Sequence, residues 1–467
     1  MSFFGKKVAV VGLAVNNTPL IKYLAREGAV VTVMDRKTPD ELAEFLRELA
    51  DLQSRCDIQY QLGPGYLKHL SEQEIVFLSP GIPKNLPEIQ EAKKAGVRFS
   101  SELQLFFSLN HAPVIGVTGS SGKTTTTSLL GEMLTGVYPT KIGGNIGRPP
   151  LSFLSELSAG SWVVLELSSF QLQDLGYSPH IAIVTNITPN HLDIHSSMEE
   201  YIAAKSEALL YQNYNDVAVL NWDNEITRNR GRLVKGECYY FSRQSPLEYG
   251  AYVKEDRLYL SLCTQGSRGG EELICERSDL TLPGEHNVEN VLAAALAARL
   301  AGVPMKAITK VIREFKGVEH RLEFVRELNG VRFINDSIST TPTRAIAGLL
   351  AMKAPVILIA GGYDKRLPFE EFAEVAAEKC RVVYLLGATT EQIEEAFNRL
   401  RLTRKASKNF PVIKRVSDLE EAVYAAKSLA LPGDVVLLSP ACASYDMFRS
   451  FEERGRLFKK LVLELQP

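Results

Sequence analysis

Short apolar runs alternate with amphipathic stretches along almost the whole chain, and that rhythm predicts strands separated by helices. Lys7-Val-Ala-Val-Val-Gly12 is followed by a helical pattern from Pro19 to Gly28 and then by Ala29-Val-Val-Thr-Val-Met-Asp35, a βαβ unit with an acid closing its second strand. A further run, Glu74-Ile-Val-Phe-Leu78, leads into the tight turn Ser79-Pro80-Gly81-Ile82-Pro83, which reads equally well as a plain strand exit or as a ligand-binding turn. A second block opens near His111: Pro113–Thr118 reads as a buried strand, Gly119–Thr125 as the start of a helix reaching about Leu134, and Trp162–Glu166, Ile181–Asn186 and Val217–Asn221 as strands. Between about 236 and 282, alternating segments such as Cys238–Phe241 and Leu258–Leu262 predict a small antiparallel sheet, and Asn287–Ala301 is an Ala/Leu-rich helix. From about Val318 a third block repeats the rhythm with Val331–Asn335, Pro355–Gly361, Arg381–Gly387 and Val435–Ser439. Strands ending in glycine or serine and alternating with helices predict mostly parallel, doubly wound sheets.

Composition narrows the function. Fifty-three basic against 55 acidic side chains leave a net charge of −2, so there is no overall positive field for a general nucleic-acid binder. Six cysteines (Cys56, Cys238, Cys263, Cys275, Cys380, Cys442) are scattered without a C-x-x-C pair, as expected of reduced thiols rather than a disulfide framework or zinc site. The opening MSFFGKKVAVVGLAV superficially suggests a signal peptide, but Asn16 and Asn17 interrupt the run and it reads better as a buried strand. No apolar stretch approaches the roughly 20 residues a membrane span needs, and a soluble, cytoplasmic protein is expected.

The strongest chemical signal is Thr118-Gly119-Ser120-Ser121-Gly122-Lys123-Thr124-Thr125. Small residues let backbone N–H groups curl around phosphate oxygens, the helix N-terminus adds partial positive charge, and Lys123 neutralises the outer phosphates. Thr124 or Thr125 offers a hydroxyl to Mg²⁺. The spacing departs from G-x-x-x-x-G-K-[ST], because Val117 stands where the first glycine would be. Glu166 closes an apolar strand, as a metal-holding acid near a phosphate loop should. By contrast, G-x-G-x-x-G is absent after Gly12, where Leu13, Ala14, Val15 and Asn16 follow, which speaks against a dinucleotide oxidoreductase. His191, in Asn186-Ile-Thr-Pro-Asn-His191-Leu-Asp193, is by itself an ordinary loop histidine, and His195 four residues on lies outside any clear helix. Ser197-Met-Glu-Glu200 announces a helix, on which Lys205 reads from spacing as a surface lysine.

In this order, TGSSGKTT, Gly143-Gly-Asn145-Ile-Gly, Glu166-Leu-Ser-Ser-Phe-Gln171, Asn186–His191, Lys205, Leu282-Pro-Gly-Glu-His-Asn287, His320-Arg321 and Asn335-Asp336-Ser337 resemble the Mur ligase family of peptidoglycan synthesis over nearly the whole chain. The resemblance implies three α/β domains: a Rossmann-like N-terminal domain (1–110), a central P-loop ATPase domain with a parallel sheet plus a small antiparallel sheet (111–317), and a Rossmann-like C-terminal domain (318–467). ELSSFQL, Val33-Met-Asp35, Leu78-Ser-Pro-Gly-Ile82 and Leu438-Ser-Pro-Ala-Cys-Ala-Ser444-Tyr-Asp-Met-Phe-Arg-Ser-Phe451 point within the family to the ligases that add D-glutamate to UDP-N-acetylmuramoyl-L-alanine through an acyl phosphate.

The implied roles follow position by position. Asp35 and Arg36 would lie near uracil, Ser79, Pro80 and Gly81 near the diphosphate, and Asn145 and Ser168 near the muramoyl or phosphate region. Gly119 to Thr125 would hold ATP and, through Thr124, Mg²⁺; Asn287, Arg321 and Asp336 would face adenine. Glu166, His191 and Lys205, the last as a carbamate, would serve the metal. Thr340, Lys365, Ser444 and Phe451 would meet the amino acid. The expected enzyme is a monomer with small-molecule substrates and no nucleic-acid or membrane partner. One position departs from the subgroup: Ile338 stands where many members have lysine in N-D-S-K-A-T-N, and an apolar side chain cannot bind a carboxylate. A folylpolyglutamate-synthetase-like ligase and a P-loop switch are the alternative readings; a switch would turn over without either substrate.

Overall fold

The apolar runs are indeed strands, and they assemble into three principal sheets. The computed structural model describes residues 2–466 apart from 15–16, 190–194, 196, 265–266, 269, 283, 365–366 and 404–409. It divides into two compact units, Met1–Phe315 and Lys316–Pro467.

The first unit begins with an all-parallel five-stranded sheet in the order Ile58–Leu62, Val30–Asp35, Lys7–Val11, Ile75–Leu78, Arg98–Ser100. Residues Val8–Val11 and Ile75–Leu78 are buried throughout, which is why these runs are continuously apolar rather than alternating. Strand order reverses between Lys7–Val11 and Ile75–Leu78, so Gly12 and Ser79, just past their C-terminal ends, flank the crevice where open α/β sheets bind ligands.

The second sheet has nine strands, ordered Glu272–Glu276, Arg257–Ser261, Gly250–Lys254, Glu237–Ser242, Val217–Asn221, Ile181–Val184, Val114–Thr118, Trp162–Glu166, Thr140–Gly144. The alternating segments after residue 236 extend this sheet. Glu237–Ser242 pairs parallel with Val217–Asn221, and antiparallel pairing starts only between Gly250–Lys254 and Arg257–Ser261. Strands this short gain more from docking on an existing sheet edge than from a sheet of their own.

Helix Glu102–Leu109 joins the two sheets. Ser101 caps it by accepting from the Gln104 N–H at 3.1 Å, and buried Glu102 accepts from the Leu151 N–H at 2.7 Å. Burial pushes the Glu102 carboxyl up to about 7, the Leu151 bond opposing it. A folded-state value above the unfolded 4.5 means that its contribution is complete below pH 4.5 and disappears as pH rises through 7. Between pH 5 and 8 the protein is therefore expected to lose about 2–3 kcal/mol relative to Glu102→Gln, which keeps an acceptor for Leu151 without the titration. Parallel denaturant midpoints for the two proteins across that range would refute this.

The second unit holds six strands in the order Glu323–Leu328, Val331–Asn335, Val435–Leu438, Val356–Ala360, Cys380–Leu385, Val412–Arg415, antiparallel only at the first pair. Its two edge strands have weak apolar patterns because much of each is exposed or half-buried, whereas Val356–Ala360 in the interior is buried at every position.

Candidate functional site

Three neighbouring strands of the nine-stranded sheet end together. Val117 lies opposite Glu166, and Thr118 opposite Val184, so the loops after Thr118, Glu166 and Val184 share one edge. The first is the glycine–serine loop Gly119–Gly122. Gly119 (φ +146°) passes so close to Thr185 that a Cβ would strike its hydroxyl, and Gly122 (φ +82°) presses likewise on Asn290. Both positions need glycine.

The loop is strapped from the neighbouring strand end. Ser120 N–H donates to Asn186 O at 2.8 Å, Ser121 N–H to Asn186 Oδ1 at 3.0 Å, and Thr185 Oγ1 to Ser121 O at 2.6 Å. Helix Lys123–Thr135 follows, and its first-turn amides have no intrahelical acceptors, leaving an anion-binding end. Thr124 and Thr125 are buried there. Beside it, Asn290 donates to Asn287 Oδ1 at 3.0 Å and accepts from Thr126 Oγ1 at 3.3 Å, which ties helix Glu285–Leu300 to the loop. Asn290, in the second turn of that helix just ahead of its alanine run, is a buried polar residue at a core position, a signal present in the sequence.

Two lysines converge on one carbonyl. Lys123 Nζ donates to Gly119 O at 3.0 Å and Lys205 Nζ to the same oxygen at 2.8 Å. Lys205 is 1% exposed, so the surface reading is overturned. It lies on the packed face of Met198–Leu210 with Tyr201, Ala204, Ala208 and Leu209. The spacings i−4, i−1, i+3 and i+4 around Lys205 are those of one helical stripe, a signal present in the sequence. Its amine sits 4.7 Å from the Tyr201 ring centre. Burial, reinforced by Lys123 and opposed by Glu166, holds the Lys205 ammonium well below its ordinary value, which favours the neutral amine.

Glu166 is 2% exposed. Asn145 donates to its Oε1 at 2.7 Å and to its main-chain oxygen at 2.8 Å, an approach made possible by Gly144 (φ +99°), whose Cβ would collide with the Glu166 backbone. Among the described residues, buried Oε2 has no hydrogen-bond partner. An orphaned carboxylate oxygen is costly in this setting and fits a cation ligand. Ser168 is instead engaged locally: its hydroxyl caps helix Ser169–Leu172, accepting from the Gln171 N–H at 3.2 Å and donating to Gln171 Oε1 at 3.0 Å. His195 is buried, stacked on Phe170 at 5.0 Å and bonded to Ser169 Oγ at 2.9 Å. His191 lies outside the described residues.

At the first sheet's crevice, Asp35 accepts from Leu13 N–H at 2.6 Å and from Lys37 N–H at 2.8 Å. Its carboxylate thus ties the turn at Leu13 to the chain just after exposed Arg36. Asn17 donates to Gly12 O and to Ser79 Oγ, each at 2.7 Å. A cavity of about 100 Å³ opens here, lined by Asn17, Ser79 and Pro80 on one side and by Phe170, Gln171 and Asp174 on the other. Lys84 and Phe170, both half-buried, also line it; Lys84 lies in a turn and Phe170 in a single-turn helix, segments too short for a periodicity that would mark them.

In the second unit, Asp336 is buried and accepts from Ser339 Oγ at 2.6 Å, Ser439 Oγ at 2.8 Å and Leu322 N–H at 3.2 Å. Burial raises its carboxyl to about 6 against those bonds. His320 (φ +65°) and Leu322 (φ +45°) are left-handed on either side of exposed Arg321, so Asp336 pins a strained segment that presents the guanidinium. Ser337 donates to Phe451 O at 2.7 Å and accepts from Arg454 Nε at 3.0 Å. Arg454, 1% exposed, also donates to the Cys442 and Ala443 carbonyls at 3.2 and 3.3 Å, which fixes the chain just before buried Ser444. Burial lowers this guanidinium to about 10. Ile338 and Thr340 are half-buried on the same turn, joined by the Thr340 N–H to Ile338 O bond at 2.8 Å. Lys365 lies outside the described residues.

Comparison with known proteins matches three successive stretches of the chain to family models. The Mur ligase MurD-like N-terminal domain matches residues 6–101, the Mur ligase middle domain 117–298, and the Mur ligase glutamate ligase domain 320–442. A UDP-N-acetylmuramoylalanine–D-glutamate ligase of Acetivibrio thermocellus is 47% identical over 99% of this chain and 97% of its own, and one of Symbiobacterium thermophilum is 46% identical over 98% of both. Among solved structures, a UDP-N-acetylmuramate–alanine ligase from Thermotoga maritima aligns with a TM-score of 0.56 at 18% identity, covering 98% of this chain and 99% of its own. A MurF ligase from Thermotoga maritima in complex with ADP aligns at 0.53 and 18%, covering 99% and 96%. Likenesses at that identity carry the fold.

Proposed function

The chain belongs to the Mur ligase family, and from that premise we propose that it uses ATP to join the carboxyl group of UDP-N-acetylmuramoyl-L-alanine to the amino group of D-glutamate. The observation that carries the reading within this molecule is the convergence of Lys123 and Lys205 on Gly119 O at the phosphate loop, on the strand edge where one oxygen of buried Glu166 has no partner among the described residues.

A carboxylate is a poor acyl donor because its leaving group would be oxide. Phosphorylation by ATP turns it into an acyl phosphate, the amine attacks, and phosphate departs from the tetrahedral intermediate. The protein must bring two anions together and keep water out, since acyl phosphates hydrolyse. Lys123 and the first-turn amides supply positive charge to the ATP phosphates. Asn145 holds Glu166 in place. Residues 1–110 bind the UDP moiety, with Asp35 shaping the uracil end and Ser79–Gly81 the diphosphate; residues 111–317 bind ATP, with Asn287 near adenine; residues 318–467 supply Arg321 to the nucleotide and Thr340, Lys365, Ser444 and Phe451 to the amino acid.

The donor set fits Mg²⁺: the unpaired Glu166 oxygen, the Thr124 hydroxyl, His191 and Lys205 once carbamylated would hold it, all hard ligands or imidazole. Bound there it would neutralise charge on the transferring phosphoryl group. Carbamylation joins CO₂ to the neutral Lys205 amine and releases one proton, and the desolvated setting of that amine supports it. Among the described residues no helix is long and apolar enough to cross a membrane, and the reading is of a cytoplasmic monomer.

The reading is tested by ADP formation against a panel of free amino acids. Turnover should require the UDP-linked substrate and D-glutamate together; ADP release without either would mark a switch instead. Because Ile338 offers no charge, Lys365 should carry much of the recognition of the glutamate side chain. Lys365→Ala is expected to raise the amino-acid KM about 10- to 150-fold, the worth of a charge-assisted hydrogen bond, with little change in the KM for ATP. Equal effects on both would remove Lys365 from the amino-acid site.

A further inference from the structure

The crevice of the first sheet and the chain after Glu166 meet through one ion pair that the family reading does not use. Lys84 Nζ, three residues beyond the Ser79–Gly81 turn, donates to Gln173 O at 2.9 Å and lies 2.8 Å from Asp174 Oδ2. Asp174 is held ready for it. Its backbone is left-handed (φ +64°), a conformation that a non-glycine residue keeps only when its surroundings enforce it. Gln104 provides part of that enforcement, donating to Asp174 O at 2.7 Å and to Leu175 O at 3.1 Å.

Lys84 and Asp174 both line the cavity that also takes in Ser79, Glu102 and Gln171. The acids there balance the bases poorly: Glu102 has its carboxyl pushed up to about 7 by burial, while Lys93 adds a second cation to the wall. The Lys84 pair is half open to solvent, with side-chain exposures of 31% and 74%. A pair so exposed contributes little to stability, so its lysine is available to a better anion at small cost.

We propose that Lys84 is a binding residue for the sugar-side phosphate of the nucleotide-diphosphate substrate, exchanging Asp174 for that phosphate when the substrate enters. The inference rests on reading this crevice as the nucleotide-sugar site. The chain order assigns the phosphate. Asp35 stands at the end of the second strand, Ser79 at the switch point and Lys84 beyond it, against the chain that follows Glu166. A diphosphate running from a uridine near Asp35 toward the reacting end thus presents its second phosphate to Lys84. Lysine suits the task as a compact point charge on a flexible stem.

The test is calorimetric titration of the full-length protein with UDP and with UMP, which differ by that one phosphate. Lys84→Ala should weaken UDP about tenfold or more, the worth of one charge-assisted contact, and change UMP by less than about twofold, so that the preference for UDP collapses. Lys84→Arg should keep most of it. Asp174→Asn should bind UDP a few-fold more tightly, because the competing carboxylate is gone. If Lys84→Ala leaves UDP binding unchanged, or weakens UDP and UMP alike, or if Asp174→Asn weakens UDP as much as Lys84→Ala, the pair is only a strut and the proposal falls. If wild-type protein binds neither nucleotide, the reading of the crevice fails first and takes this inference with it.

Discussion

Lys205→Ala is expected to cost about 10³-fold or more in turnover, because it removes an anionic ligand from the charge-stabilising site, an effect of several kcal/mol at 1.36 kcal/mol per decade. The physical basis is the burial of Lys205 at 1% exposure with Lys123 on the same carbonyl. Two ammonium groups in one desolvated place repel, and the amine that loses its proton becomes the nucleophile for CO₂. The carbamate carries a planar anionic head, so a lysine that would repel a cation becomes one that binds it. Three results should accompany the loss. Activity should fall when CO₂ is stripped, and fall as pH drops and the amine is reprotonated. A small carboxylic acid should partly restore Lys205→Ala by filling the vacated anionic place. Carbon-13 bicarbonate should give a carbamate resonance in the wild type that is missing from the variant. An active, ligand-bound enzyme with a plain ammonium at Lys205, and no rescue, would sink the assignment.

Lys123→Ala should abolish amide formation, again by about 10³-fold, the scale for removing a charge-stabilising donor from a preorganised site. Binding of the UDP-linked substrate should persist in titration calorimetry, because Asp35 ends a strand of the five-stranded sheet and Asn17 and Ser79 follow its strands, while Lys123 begins a helix on the nine-stranded one. Lys123 Nζ donates to Gly119 O and Ser120 O of its own loop, so its removal acts first on the phosphate loop. Wild-type turnover at saturating ATP would mean that the loop does not hold the reacting phosphates.

Much of this architecture was legible along the chain, because parallel strands buried on both faces must be apolar throughout. Trp162–Glu166, Val217–Asn221 and Val331–Asn335 were read with the bounds they have in the structure. Thr140–Gly144 and Val412–Arg415 were not: one carries two glycines and a lysine, the other lies at a sheet edge with two of its four residues charged, so neither shows a run. The pairing of Glu237–Ser242 was equally hidden, since a strand's own pattern says nothing about the direction of its neighbour. At the site, the phosphate loop could be read because its chemistry is local. Seven consecutive residues supply the glycines, the lysine and the helix start that the function needs.

What the sequence by itself determined, then, is whatever a short segment does on its own: the strand–helix rhythm, the loop Gly119–Thr125, the acid at Glu166 and the breaks at Gly12 and Ser79. What only the tertiary structure decided is where charge is buried and with whom. It turned Lys205 from a surface residue into a desolvated amine beside Lys123, committed both Asp35 oxygens to loop amides, made Arg454 the anchor of the chain before Ser444 and set Lys84 against Asp174. Desolvation and pairing depend on groups tens to hundreds of residues away, and the energy of a charge is set by those neighbours rather than by its own place in the chain.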